Sequence, residues 1–238
     1  MNDANTAIID QLFSAASLRI VLHGIHDLQT TSDVIGHEAL MRGPRGTPYE
    51  SPPLAFAMAA TLDVLEYLDC RCISMAAQAP SEGLLFINVH PRTMLAHDEF
   101  WATLAQFPQG ARTPQQTVFE VVEHSVARGN DLQRALEEIR SLGFKIAVDD
   151  LGEGAAGLRR LIEVAPDFAK IDRFFVDGID RDRRRRSVVG ALVRLGEDLS
   201  TRIIAEGVER QEELDVLVDL GVTLAQGYLF GKPEEIPS

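Results

Sequence analysis

Seven polar residues stand in the same place relative to their neighbours. Asn88, Glu120, Asp149, Asp150, Lys170, Glu206 and Gln226 each close, or directly follow, a short apolar and mostly β-branched run. A random scatter would put acids at both ends of such runs. Glu38, at the end of another run, adds a further carboxylate. If the fold brings these groups together, their chemistry is constrained. Two bare carboxylates 4 Å apart repel by about 4 kcal/mol at an effective dielectric of 20, and Glu38, Glu120, Asp149, Asp150 and Glu206 together repel by several times that. Lys170 cannot offset this alone. Hard divalent cations can, and carboxylates with the amide oxygen of Asn88 suit Mg²⁺ or Mn²⁺ rather than zinc. From the third strand onward His90 is the one Cys or His within two residues of a strand's carboxyl end, which disfavours a soft site. Several carboxylates able to bridge ions suggest two metals about 4 Å apart, a device for in-line attack on a phosphodiester. The cations would also admit an anionic substrate to an acidic mouth.

The elements that must position these groups are legible in the hydrophobic pattern. Strands are predicted over Arg19–Leu22, Val34–Glu38, Leu84–Asn88, Thr117–Val121, Lys145–Asp149, Phe168–Ile171, Arg202–Ala205 and Val222–Ala225. Between the later ones lie helical spacings: Leu132, Ala135, Leu136 and Ile139, then Val188, Leu192, Val193 and Leu195, then Leu214, Leu217, Val218 and Leu220. Gly143, Gly196 and Gly221 fall where left-handed helix caps are expected. Apolar strands alternating with helices imply a parallel sheet covered by helices, and eight such strands close a (β/α)8 barrel. The carboxyl ends of barrel strands share one rim, where active sites sit. The polar residues are therefore expected in one pocket.

Composition agrees with one barrel domain over residues 1–238. The chain has 23 Lys plus Arg, 36 Asp plus Glu, a net charge of -13 and 45% apolar residues. Disorder is excluded by ordinary apolar and charged content. The most apolar stretch, Pro53 to Leu62, falls far short of the roughly 20 residues a membrane span needs, and the acidic start is unlike a secretory signal. No membrane segment is expected. The acidity argues against nucleic acid as a partner. Arg181 to Arg186 form the one basic run, but Asp177, Asp180 and Asp182 sit among them, so a solvated, self-paired helix start is expected. Cys70 and Cys72 are too close in sequence for a good disulfide and read as buried thiols, consistent with a reducing cytoplasm.

The blocks around these residues resemble a known family. HEALMR at Glu38, FINVHP at Asn88, FEVVEHS at Glu120 and Glu123, AVDDLGEG at Asp149 and Asp150, APDFAKIDR at Lys170 and Asp172, IIAEGVE at Glu206 and Glu209, and AQGYLFGKP at Gln226 resemble the EAL family of bacterial cyclic di-GMP phosphodiesterases, in order and over nearly the whole chain. The resemblance implies a TIM-like barrel whose first strand runs antiparallel to the rest. It implies hydrolysis of cyclic di-GMP to linear pGpG by water activated at two Mg²⁺ or Mn²⁺ ions. Glu38, Asn88, Glu120 and Asp149 would ligate one ion, and Asp149 and Asp150 the second, with Glu206 as ligand or base. Lys170 would hold the attacking water, supported by Asp172. Arg42 would meet a substrate phosphate, and Leu40, Gln226 and Glu209 would line the substrate site. Glu123 would anchor the loop after the fifth strand, which in the family couples dimerisation to metal binding, so a homodimer is implied.

The departures from the family pattern are specific. His23-Gly24 replaces the usual Gln-Pro, and His90 replaces the Ser after the strand-three Asn. The usual DDFGTGYSSL becomes DDLGEGAAGL, with Glu153 for Thr and Ala155 for an aromatic, so the altered loop 151–158 implies lowered activity. Two other functions compete: a cyclic di-GMP receptor that does not cleave, and a nucleotide-independent interaction module. Receptors of the first kind lose metal ligands, and none is missing here.

Overall fold

A computed structural model of the chain describes residues 9–10, 13–14, 17–30, 33–95, 97–105, 107, 113–122, 130–151 and 157–235. The expectations attached to Glu123, Glu153 and Ala155 lie outside these residues.

The chain begins with a long antiparallel hairpin, β1 (Arg19–Asp27) and β2 (Val34–Arg42). Helices α1 (Pro52–Thr61) and α2 (Leu65–Ala77) lead to β3 (Leu84–Val89), followed by α3 (Pro91–Leu95) and α4 (His97–Ala105). Next come β4 (Thr117–Val121), α5 (Asn130–Ser141), β5 (Lys145–Leu151), α6 (Gly157–Val164) and β6 (Phe168–Ile171). The last segment holds α7 (Arg173–Val176), α8 (Arg183–Leu199), β7 (Arg202–Ala205), α9 (Gln211–Asp219), β8 (Leu224–Ala225) and β9 (Glu234–Glu235). Strands β2 to β8 run parallel in sequence order, and β1 closes the ring antiparallel to both β2 and β8. The fold is thus an eight-stranded TIM-like barrel with a reversed first strand. Among the described residues no helix is long and apolar enough to cross a membrane.

Strand alternation explains how the interior is built. One apolar layer fills the barrel with Ile25, Phe86, Val118, Ala147, Phe168, Ile204 and Leu224, and the rings of Phe86 and Phe168 meet edge to face at 5.1 Å. Because side chains repeat with period two, residues two positions further along β3 to β8 face the same way. Those residues are Asn88, Glu120, Asp149, Lys170, Glu206 and Gln226. The apolar layer is therefore the floor under the polar one. Intervening residues such as Leu85, Ile87, Phe119, Ile146 and Ile203 point outward and are buried against the helices.

Two local features differ from the sequence expectation. Gly196 is not a cap: it lies inside α8, where a Cβ would come within 2.7 Å of Ile203 Cγ1 and 2.8 Å of the Thr201 carbonyl. Close helix–sheet packing, not backbone freedom, selects glycine there. The left-handed cap is Ser200, at φ 57°. The sequence also gives no sign of β9. After β8 the chain turns back and pairs with Val21 and Leu22, and Glu235 meets both Arg19 and Arg45. His26 stacks on Phe230 at 4.6 Å, and His23 Nε2 lies 3.2 Å from the Gly231 carbonyl. Cys70 and Cys72 are free and buried, and burial pushes the Cys70 thiol up to about 12.

Candidate active site

Lys170 is the centre of the polar layer. Its side chain is 1% exposed, and its Nζ lies 2.6 Å from Glu206 Oε1, 3.2 Å from Glu38 Oε2, 3.2 Å from Glu120 Oε1 and 3.8 Å from Asp149 Oδ1. Burial disfavours the ammonium, but these four carboxylates outweigh it and hold the group charged, well above the usual lysine range. The carboxylates respond unequally. Burial pushes Glu38 up, yet Lys170 and hydrogen bonds from Gln226 and Asn88 bring it down to about 2. Glu120 is driven well above the carboxylate range by burial and by its acidic neighbours, against the pull of Lys170. Burial, with the charges of Asp149 and Glu38, raises Glu206 to about 8. One ammonium among four carboxylates leaves an excess of negative charge, and that excess raises the proton affinity of Glu120 and Glu206.

Glu38 is fixed by two amides: Asn88 Nδ2 donates to Oε1 at 3.1 Å and Gln226 Nε2 to Oε2 at 2.9 Å. Gln226, 2% exposed, is held by the following glycine, since a Cβ on Gly227 would fall 2.2 Å from the Val208 carbonyl. Asp149 and Asp150 are consecutive, and a regular strand would aim them at opposite faces. The register with β6 is broken between Val148 and Leu151, and Asp150 adopts φ 54°. This bulge re-aims the chain. As a result Asp149, Asp150 and Glu206 each present an oxygen, all within 4.8 Å of one another.

The donor set fits a hard divalent cation. Every potential ligand atom is oxygen; among the described residues the buried Gln226 Oε1 accepts no hydrogen bond, and the buried Glu120 Oε1 is met only by the Lys170 ammonium at 3.2 Å. Buried oxygens short of proton donors in an acidic ring are what Mg²⁺ or Mn²⁺ would coordinate.

The remaining expected site residues lie around this ring. Leu40 lines a cleft of about 740 Å³ together with Glu38, Asn88, His90 and Asp149. Arg42, at the end of β2, donates to the Met41 carbonyl at 2.8 Å. Asp172 caps α7, accepting from Phe174 N at 2.8 Å. Glu209 is exposed and pairs with Arg173 at 2.8 Å, ahead of α9. His23 faces Glu38 across the hairpin register, and burial lowers its pKa below the usual value. Asp69 was not anticipated. It lies on the buried face of α2 and accepts from His90 N at 2.9 Å. Its signal in the sequence is an acid at the helical spacing of Leu65, Leu68, Cys72 and Ile73.

A barrel of this topology with this acidic rim defines a class, and the family model for the EAL domain matches residues 6–233. The chain belongs to the EAL domain family. Among its relatives, the cyclic di-GMP phosphodiesterase RocR of Pseudomonas aeruginosa is 33% identical over 154 residues, covering 63% of this chain and 38% of that protein. Klebsiella pneumoniae BlrP1, solved as a manganese and cyclic di-GMP complex, superposes with a TM-score of 0.82 at 30% identity, over 94% of this chain and 58% of that one. A standalone EAL protein from Vibrio cholerae O395, solved with cyclic di-GMP bound, gives 0.75 at 29% identity, over 91% and 92% of the two chains. The chain spans 21% to 29% of the length of three further curated relatives.

Proposed function

We propose that this chain is a Mg²⁺- or Mn²⁺-dependent phosphodiesterase that hydrolyses cyclic di-GMP to linear pGpG, acting as one barrel domain in the bacterial cytoplasm. The observation that carries this reading is the acidic ring around Lys170, four carboxylates gathered about a single ammonium with the Gln226 amide oxygen buried beside them. Family membership supports the same chemistry, as do the solved relatives with cyclic di-GMP bound.

Glu38, Asn88, Glu120 and Asp149 would hold one ion, and Asp149, Asp150 and Glu206 the second. Bound there, divalent ions supply Lewis-acid charge to the phosphodiester and lower the pKa of water. Lys170 Nζ already donates into the ring and would hold the attacking water there. Glu206, whose carboxyl is raised to about 8 by burial and by the neighbouring charges, would serve as ligand or as base toward that water. Arg42 would reach a substrate phosphate by leaving the Met41 carbonyl. Leu40 and Gln226 would line the site, with Glu209 at its edge. Asp172 keeps the turn after Lys170 in place through its cap, and Glu123 would anchor the loop that follows β5 in a homodimer.

Turnover of cyclic di-GMP in Mg²⁺, resolved by chromatography, tests this reading. The parent forms pGpG, while Glu38→Ala and Glu206→Ala lose turnover by about 100-fold or more and keep the far-ultraviolet circular dichroism of the parent. Binding of cyclic di-GMP without product would replace the enzyme by a receptor.

A further inference from the structure

We propose that Asp69 is a positioning residue for the Asn88 corner of the site. The proposal rests on the reading above in one respect, that Asn88 ligates metal. Asp69 lies in α2, 2% exposed, and among the described residues no basic side chain pairs with it. A buried carboxylate without a cation is costly, so what it holds matters. Its Oδ2 accepts from His90 N at 2.9 Å. His90 follows Asn88 by two residues and directly precedes α3, whose Thr93 and Met94 amides donate to the His90 carbonyl at 2.9 and 3.2 Å. The helix uses His90 O, which leaves His90 N for Asp69. From the other side the His90 ring rests against Phe56 of α1, with centroids 4.9 Å apart.

The turn leaving β3 is therefore gripped by two helices. Asn88 stands directly upstream of that grip, and its Nδ2 donates to Glu38 Oε1 at 3.1 Å, which decides where Oδ1 points. Asp69, His90, Phe56, Asn88 and Glu38 all line the 740 Å³ cleft. Asp69 acts on the metal corner through the backbone of His90, as an outer partner that orients a ligand.

Mn²⁺ affinity of the full chain, measured by calorimetry, tests this with Asp69→Leu and Asp69→Asn. Leucine keeps the branched shape without an acceptor, whereas asparagine keeps an acceptor oxygen. Asp69→Leu is expected to weaken Mn²⁺ binding about 10-fold. Asp69→Asn should bind like the parent, and in an Asn88→Ala background Asp69→Leu should cost nothing further. The proposal is overturned if Asp69→Leu binds Mn²⁺ like the parent, or if its loss is equal with and without Asn88. A parent-like Mn²⁺ affinity in Asn88→Ala alone would remove Asn88 from the ligand set and take this proposal with it. A weakened Asn88→Ala beside an unchanged Asp69→Leu removes only the proposal. Should Asp69→Leu not fold, Asp69→Ala carries the same comparison.

Discussion

Lys170 is buried among four carboxylates, and its removal shows how the ring is balanced. The sequence tells that a lysine in an apolar run needs a partner, but not that it has four, because strand register brings Glu38, Glu120, Asp149 and Glu206 to one point. In metal-free protein, Lys170→Met leaves buried carboxylates without their cation and should cost about 3–5 kcal/mol in denaturant unfolding, as for other broken buried pairs. Saturating Mn²⁺ should recover most of that loss. A variant as stable as the parent without metal would mean that the ring is already neutralised by protons. Asp69 escaped prediction for a related reason. Its helix reads as amphipathic, and only the packed structure turns that acid toward the His90 amide.

Elements were legible where they are regular. Strands β4, β6 and β7 have the bounds their apolar runs predict, because a buried parallel strand is a continuous apolar run. Irregular features were not legible. The bulge at Asp149 and Asp150 is set by pairing with β6, and β9 by ion pairs of Glu235 with residues more than 180 positions away. The end of α8 was misassigned for a packing reason, and it yields a paired prediction. Gly196→Ala would gain about 0.5–1 kcal/mol of helix propensity. The overpacking against Ile203 and the Thr201 carbonyl costs about 1–3 kcal/mol, so the variant should be destabilised. Ser200→Gly relieves a left-handed residue and should stabilise by up to about 1 kcal/mol. Urea unfolding measures both, and a stabilised Gly196→Ala or a destabilised Ser200→Gly would contradict this account of the packing and of the cap.

At the scale of the whole molecule, buried acids make stability depend on pH in a definite direction. Asp69 is pushed up to about 7 and Glu206 to about 8, chiefly by burial. Between the ordinary carboxylate range and these values the folded state keeps protons that the unfolded chain has released, so stability falls as pH rises. Glu38, lowered to about 2, acts only below pH 4.5, and His23, lowered by burial, opposes the trend below 6.5 as one group against Asp69, Glu120 and Glu206. Metal-free protein should therefore have a lower Tm at pH 8 than at pH 5, and Asp69→Asn should flatten the slope. A rising Tm over that interval would contradict the placement of these groups. The barrel, its reversed first strand and its acidic rim followed from pattern and family resemblance, while the proposed cation requirement was argued from crowding of charge. That requirement is tested most directly by anomalous scattering at the manganese edge from crystals grown with Mn²⁺ and cyclic di-GMP. Two peaks are predicted, one among Glu38, Asn88, Glu120 and Asp149 and one among Asp149, Asp150 and Glu206. Nucleotide density over this rim with no manganese peak beneath it would contradict the account.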